Sequence, residues 1–385
     1  MGTSEFVVVG LLPDIAAELG IGIADAGLLV TAFAVGMIGA PLVALATAKI
    51  PQRTTLVLVL LVFAAGHLVV ASASDLPAIL VARFGTALAT GAFWSIAAAV
   101  AARVAGPGAG ARAMGYVVSG GILATVVGVP LGSMAGQMAG WRGPFWVLAI
   151  LAVLAAAVLA RFVPGGRPEA GHTSLRTQLA DIRTWRLWLL LLACALINAA
   201  VLSTYAFIAP LLSESAGVTT DVLPMGLAVF GVGSLLGSLG SGRFGDRAPY
   251  ATALLGGAVV VAALGLLCFL STLAIPAILL LGLAGLAGMG TNPVLMSLAV
   301  RYAKKAPTLA TSLSTSMFNV GTAGGSWVTA QAINESGTSA IPVVGTVFAV
   351  LLIIPLILLA KIDRARRKSA SMEQPDRDRV VTPTR

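Results

Sequence analysis

The sequence predicts an all-α polytopic membrane protein, on three observations. Apolar residues make up 58% of the 385 positions, and Asp, Glu, Lys and Arg only 10%, against roughly 25% charge in an average soluble domain. The apolar residues gather in runs long enough to cross a hydrocarbon core of ~30 Å as helices. The runs lack the ~10-residue alternating segments of a membrane β-barrel, and lipid offers no partner to an open strand edge. The composition excludes an ordinary soluble enzyme, and also a disordered chain, which needs low hydrophobicity.

The full-length runs fall at about 26–48, 54–73, 76–102, 112–138, 143–162, 185–212, 222–241, 251–274, 276–300, 308–333 and 340–360. Ahead of them, the short apolar segment from Phe6 to Leu12 leads into an acidic turn and reads as the outer end of a further span. Residues 163–184 link two halves. Pro164, Gly165, Gly166 and Pro168 break helix there, and Leu175, Leu179 and Ile182 recur at the spacing of a short surface helix. Residues 362–385 are polar and are expected to be disordered. The chain thus divides into a membrane bundle over 1–162, a linker over 163–184, a second bundle over 185–361 and a tail.

Charge sorts the connections. One set is acidic: Asp14, Glu18 and Asp25, then Asp75, then Glu214 and Asp221, then Glu335. The other set is basic: Lys49 and Arg53, Arg103 and Arg112, Arg161 through Arg186, Arg243 and Arg247, Arg301 through Lys305, and the tail from Lys361. Of the 24 Lys and Arg, 22 belong to the basic set, while Arg142 sits on the acidic side and Arg83 within a run. The positive-inside rule makes the basic side cytoplasmic, so the linker and C-terminus are expected on the cytoplasmic side of the inner (plasma) membrane. The net charge of +9 is therefore topological. A nucleic-acid footprint would gather its basic residues on one face. Cys194 and Cys268 lie in apolar runs as small core residues. No disulfide framework, metal-ligand spacing or cleavable leader is visible.

An internal repeat aligns the halves. Pro13 matches Pro210, Gly20 matches Gly217 and Gly36 matches Gly233, each at an offset of 197, and Lys49 matches Arg247 at 198. The run of the second half starts near Trp185, whereas only 12 residues precede Pro13. The first helix is therefore expected to be N-terminally incomplete by about 13 residues, through a late-assigned start or a truncation.

Two strongly ionised side chains fall inside spans, Glu5 and Arg83, and such residues are functional hypotheses by default. Both lie roughly 10–12 Å below the outer boundary at 1.5 Å per residue. A Glu–Arg pair facing one cavity, its carboxyl alternating between environments that favour and disfavour ionisation, makes a proton carrier. The plainer alternative is a static ion pair that fixes helix packing. His67 reads as a packed, hydrogen-bonded core residue, with proton work as its alternative. Asn198, Ser203, Thr204, Tyr205, Asn292 and Asn319 either join helices by hydrogen bonds or touch a substrate. Tyr205 and Asn292 are favoured for substrate because Pro210 and Pro293 disturb their helices. The run Gly120, Gly121, Gly128, Pro130, Gly132 and Gly136 suits a hinge or a tight helix seam. No phosphate loop, metal cluster or nucleophile triad is present, so no enzyme chemistry, metal or cofactor is expected. On the Glu5–Arg83 reading, a proton gradient is the expected source of work. The expected partners are a small-molecule substrate, protons and the bilayer, with a monomeric chain and no nucleic acid.

The stretch Gly242-Arg243-Phe244-Gly245-Asp246-Arg247 resembles the major facilitator superfamily loop motif G-x-L-A-D-R. Its first-half counterpart has Ala44, Ala48 and Lys49 at the Gly, Asp and Arg positions. Arg83 matches the arginine of the fourth-helix motif, with Ala87 where a Gly is usual. GVPLGSMAGQMAGWRGPFW (128–146), with Gly128 and Pro130, is similar to the fifth-helix antiporter motif, with Val129 inserted. GTSEF (2–6), GLLPDIA (10–16), LINAAVLSTYAFIAPLLSESAG (196–217) and APTLATSLSTSMFNVGTAGGSW (306–327) look like the drug:proton antiporter branch. That branch includes chloramphenicol-resistance exporters and arabinose-efflux-like permeases. The resemblance implies two six-helix bundles in a pseudo-twofold repeat, rocking around a cavity lined by helices one, four, seven and ten. It would place Glu5, Arg83, Tyr205 and Asn292 on those helices. It implies proton-coupled drug efflux, with sugar or metabolite efflux, or an inactive truncated remnant, as alternatives.

Overall fold

The computed structural model describes residues 1–47, 50–105, 120–121, 123–163, 184–302 and 307–373. Among these residues the regular structure is entirely helical. In the first half, α1 (Gly2–Val7) passes through a 3-10 turn (Val8–Gly10) into α2 (Leu12–Leu19). Then come α3 (Ile23–Ala46), α4 (Gln52–Ser72) and α5 (Leu76–Ala105). A π-helical turn (Ala124–Gly128) leads into α6 (Val129–Ala139), and α7 (Gly143–Phe162) closes the half. In the second half, α8 (Trp185–Ala206) continues through Ile208–Pro210 and a π turn (Leu211–Ser215). It is followed by α9 (Leu223–Arg247), α10 (Pro249–Leu270), α11 (Ala274–Tyr302), α12 (Pro307–Ser336) and α13 (Ala340–Glu373).

Eight of these helices are long and apolar enough to cross a membrane, and a ninth span results if α2 and α3, bent by 120°, count as one. α12 has the length but is interrupted by Ser, Thr and Gly. It packs between α8 and α3, where those small polar residues meet protein. The exterior is apolar: Phe269 is 83% exposed, and Val81, Ile150, Leu279 and Ile354 all face outward. In water such a surface would aggregate, whereas in lipid it is the solvated face.

The repeat read from the sequence has a backbone counterpart. Among the described residues, four glycines have left-handed φ angles: Gly20 (64°), Gly140 (75°), Gly217 (63°) and Gly337 (71°). They form two pairs, Gly20 with Gly217 and Gly140 with Gly337, both 197 positions apart. Each ends a helix at the acidic-loop side, where only glycine adopts this conformation without strain. Packing repeats as well. Gly36 admits the backbone of Phe84 in α5, and Gly233 admits that of Gly282 in α11. Within the halves, α3 lies on α5 as α9 lies on α11, and α4 on α7 as α10 on α13. The halves meet through α3 against α12 and α6 against α9, which are mates under the same repeat.

The tail from 362, expected to be disordered, instead begins as helix: α13 continues to Glu373. Ala, Arg, Lys and Met in IDRARRKSASME are good helix formers, and no proline intervenes before Pro375. The short surface helix expected around Leu175, Leu179 and Ile182 lies outside the described residues, as do Ala48 and Lys49.

Candidate functional site

The start of the chain is held by a seam of small residues. Side chains on Gly128, Gly132 and Gly136 would collide with Thr3, Val7 and Leu11 respectively. Both sets step by four, so one face of α6 and its lead-in takes one face of α1 in parallel. Thr3 Oγ1 donates to Ala124 O at 3.2 Å within this seam. Pro130 has no N–H for Val126 O, four residues before it, and the π turn lies at this point. Gly128, Gly132 and Gly136 thus form a tight seam, whereas Gly121 meets Trp94 and Gly120 has open space at its β-carbon position.

This seam leaves one side of α1 against a cavity of about 300 Å³ between the halves. Glu5 and Phe6 come from α1, Trp94 from α5, Leu202 and Tyr205 from α8, Phe230, Ser234 and Ser238 from α9, and Met289 from α11. Among the described residues, Glu5 is the only charged one in the lining. Its carboxylate has no hydrogen bond or ion pair among the described residues. Tyr205 stacks on Phe230 (centroids 4.0 Å apart) and receives Phe6 edge-on at 5.7 Å. The Tyr205 hydroxyl is buried with no hydrogen-bond partner among the described residues. Ser234 and Ser238 spend their hydroxyls on Phe230 O and Met289 O.

The cavity sits in the half of the bundle nearer the basic loops, and the acidic-loop half is sealed. Val7, Val8, Leu11 and Leu12 face Phe207, Ile208, Leu211 and Leu212 in one buried core. Between the halves, Thr31 Oγ1 lies 2.9 Å from Ser326 Oγ, and Gln137 Nε2 donates to Thr220 O at 2.6 Å. Beyond the seal, Glu18 receives Arg142 as an ion pair and Trp141 Nε1 at 2.7 Å, while Arg142 also donates to Ala73 O at 3.0 Å.

Arg83 is placed differently from the expectation. It is 0% exposed and does not line the cavity. Its guanidinium donates to Ser4 O at 2.8 Å, Ser4 Oγ at 3.3 Å and Glu5 O at 3.4 Å, beneath the Phe33 ring at 4.4 Å. Arg83 therefore reaches α1 at the level of Glu5 but binds its backbone, and no Glu5–Arg83 ion pair is formed. The fourth helix gives Trp94 to the cavity in its place.

The asparagines are also displaced from the cavity. Asn292 Nδ2 donates to Asn198 Oδ1 at 3.0 Å, joining α11 to α8. Gly288, one turn earlier on α11, lets Val201 come close enough for the two amides to meet. Neither amide borders the cavity; Met289 does. Asn319 Nδ2 bonds Thr315 O of its own helix at 3.0 Å and likewise stays out of the lining. Tyr205, the other residue favoured for substrate, lines the cavity. In the loop motif, the backbone of Gly242 and Asp246 belongs to the end of α9 and Arg247 is exposed, while the Asp246 side chain lies outside the description. Phe6, Trp94, Phe230 and Met289 were missed because an apolar residue inside an apolar run carries no local mark. The spacing of Phe230, Ser234 and Ser238 by four, which places them on one helix face, is a signal that could have found them.

Comparison with known proteins follows the same lines. The Major Facilitator Superfamily model matches residues 1–306 and 191–383. The chloramphenicol resistance protein of Streptomyces lividans is 36% identical over 340 residues, covering 87% of each chain. A probable sugar efflux transporter of Mannheimia succiniciproducens is 30% identical over 361 residues, 93% of this chain and 90% of that one. Among solved structures, the nucleoside transporter NupG superposes with a TM-score of 0.75 at 12% identity, over 93% of this chain and 97% of that one. A bacterial homologue of the human lysosomal transporter Spinster gives 0.69 at 17% identity, over 94% and 93%. At such identities these structures establish the fold alone. The chain is a multi-pass membrane transporter and not an enzyme, and it belongs to the major facilitator superfamily.

Proposed function

We propose that this chain exports small amphipathic compounds of the chloramphenicol kind in exchange for protons, by alternating access. The observation that carries this reading is the lining of the cavity: one carboxylate, Glu5, among Phe6, Trp94, Tyr205, Phe230 and Met289. The aromatic and apolar groups suit a flat, largely uncharged molecule, and the Tyr205 hydroxyl offers it one hydrogen bond. Glu5 supplies the single ionisable group that a proton exchange requires. With the basic loops cytoplasmic, the cavity lies on the cytoplasmic side of the seal, as a loading state for export requires. One proton moving down ~100 mV supplies about 2.3 kcal/mol, which sustains roughly a 40-fold gradient of a neutral drug at about 1.4 kcal/mol per tenfold. The chloramphenicol resistance protein of Streptomyces lividans, 36% identical, supports this substrate class.

Sugar efflux fits less well. A sugar presents hydroxyls all round, while the Ser234 and Ser238 hydroxyls are already donated to backbone. The test is accumulation of labelled chloramphenicol in susceptible cells expressing this chain, with and without a protonophore. Low accumulation restored by the protonophore supports the reading. Accumulation equal to that of empty cells, with the protein present in the membrane, counts against chloramphenicol as substrate or marks the chain as an inactive remnant. A panel of labelled sugars and other drugs separates those two.

A further inference from the structure

Behind Glu5, three helices bring together polar groups that the exchange reading leaves unused. His67 of α4 is 1% exposed, and Ser4 of α1 and Arg83 of α5 are fully buried. His67 Nδ1 lies 2.7 Å from Phe63 O, and its Nε2 lies 2.7 Å from Ser4 Oγ. A carbonyl only accepts, so Nδ1 carries the ring proton and Nε2 is a bare acceptor. The Ser4 hydroxyl must then donate to Nε2, which leaves its lone pairs for Arg83 Nη1 at 3.3 Å. The donors run one way: Arg83 to Ser4, Ser4 to His67, His67 to Phe63.

Arg83 has two competing sites one residue apart. One is the Ser4 and Glu5 carbonyls with Ser4 Oγ, which it occupies. The other is the Glu5 carboxylate. A buried guanidinium with unfilled donors is costly, so an acceptor lost at the first site favours the second. We propose that His67, acting through Ser4, is a positioning residue that keeps Arg83 on the α1 backbone and off the Glu5 carboxylate, and so sets the pH at which Glu5 takes up a proton. This rests on reading Glu5 as the proton carrier. A proton on His67 Nε2 would break the chain and set a second cation beside Arg83, so the histidine acts as a fixed acceptor. The charged or titratable groups facing this site are Glu5 and the Met1 amino group from the start of the chain, His67 from α4, Arg83 from α5 and Tyr205 from α8. α3 faces it with Phe33, and α6 and the cavity-facing stretch 230–238 of α9 carry no titratable residue.

Carbodiimide labels protonated carboxyl groups in apolar surroundings, so its reaction with Glu5, read by mass spectrometry over a pH series in membranes, follows the site without any substrate. Ser4→Ala and His67→Leu should each move the labelling curve to the acid side by about one pH unit, as expected for losing a hydrogen bond to a charged group. The double variant should move it no further. His67→Gln, whose side-chain oxygen can take the Ser4 hydrogen, should stay with the unsubstituted protein. Curves for Ser4→Ala and His67→Leu that superimpose on the unsubstituted one overturn the proposal, as does a His67→Gln curve displaced as far as His67→Leu. If His67→Leu does not reach the membrane, Ser4→Ala, which removes a single oxygen, decides alone. The expected labelling shifts together with drug efflux indifferent to a protonophore would uphold the positioning role and defeat the exchange reading.

Discussion

Phe207 of the second half fills the space that a side chain on Gly27 of the first half would need; a β-carbon there would collide with the ring. Phe207 is also the residue at which α8 breaks, with φ −114° and ψ 25°. In the first half the α1–α2 path breaks at Leu11, one position past Gly10, the repeat mate of Phe207, with φ −111° and ψ −1°. The seal on the acidic-loop side is thus built where the two repeat copies lose helical geometry together. Gly27→Ala should loosen it. Overpacking of this kind costs about 1–3 kcal/mol, which shifts a two-state equilibrium by roughly fivefold to a hundredfold. In a background carrying Cys194→Ala and Cys268→Ala, labelling of Thr31→Cys by a membrane-impermeant thiol reagent should rise accordingly. Unchanged labelling would mean that the ring moves aside without opening the seal.

Glu5→Gln keeps the size of the side chain and removes its charge. Proton-driven accumulation of substrate should fall to the level of cells without the protein. Exchange of labelled for unlabelled drug across the membrane, which needs no net proton movement, should persist. Vesicle assays of the two modes read this directly, and proton-driven transport at the original rate would remove Glu5 from the coupling step.

The glycines should separate by what faces them. Gly132→Ala would drive a methyl group into Val7 and is expected to destabilise the protein by about 1–3 kcal/mol. Gly324→Ala, in α12 with open space at the β-carbon, should be neutral or stabilising by up to about 1 kcal/mol, since alanine has less backbone freedom to lose. Thermal unfolding of the two variants in detergent should give midpoints on opposite sides of the unsubstituted protein.

Tyr205→Phe removes a hydroxyl that has no protein partner. Folding should be unaffected or slightly improved, because a buried unpaired polar atom disappears. Binding of a substrate that bonds this hydroxyl should weaken about fivefold to tenfold, the worth of roughly one neutral hydrogen bond. A binding titration beside a melting curve separates the two effects, and equal affinity would place the substrate elsewhere in the cavity.

Arg83 shows how far local reading reaches. An arginine inside an apolar run announces itself, and helical rise alone sets it level with Glu5. Its choice between the Glu5 carboxylate and the Ser4 carbonyl depends on where α1 sits, and that is settled by Gly128, Gly132 and Gly136 more than a hundred positions away. Asn198 and Asn292 show the same limit: each looks like a cavity group until Gly288 lets α8 and α11 close and Asn292 Nδ2 donates to Asn198 Oδ1.

The helices, their order, the halves and their repeat are determined by the sequence itself. Lipid requires every span to satisfy its own backbone, so hydropathy and turn residues such as Gly20 and Gly217 carry that information locally. Which polar groups pair, which are left facing a cavity and which end is sealed was decided only in the tertiary structure. Those outcomes depend on close approach between helices distant in the chain. Where two helices touch, side-chain volume and the directional demands of hydrogen bonds act across the contact, and neither leaves a trace in the spacing of residues along one helix.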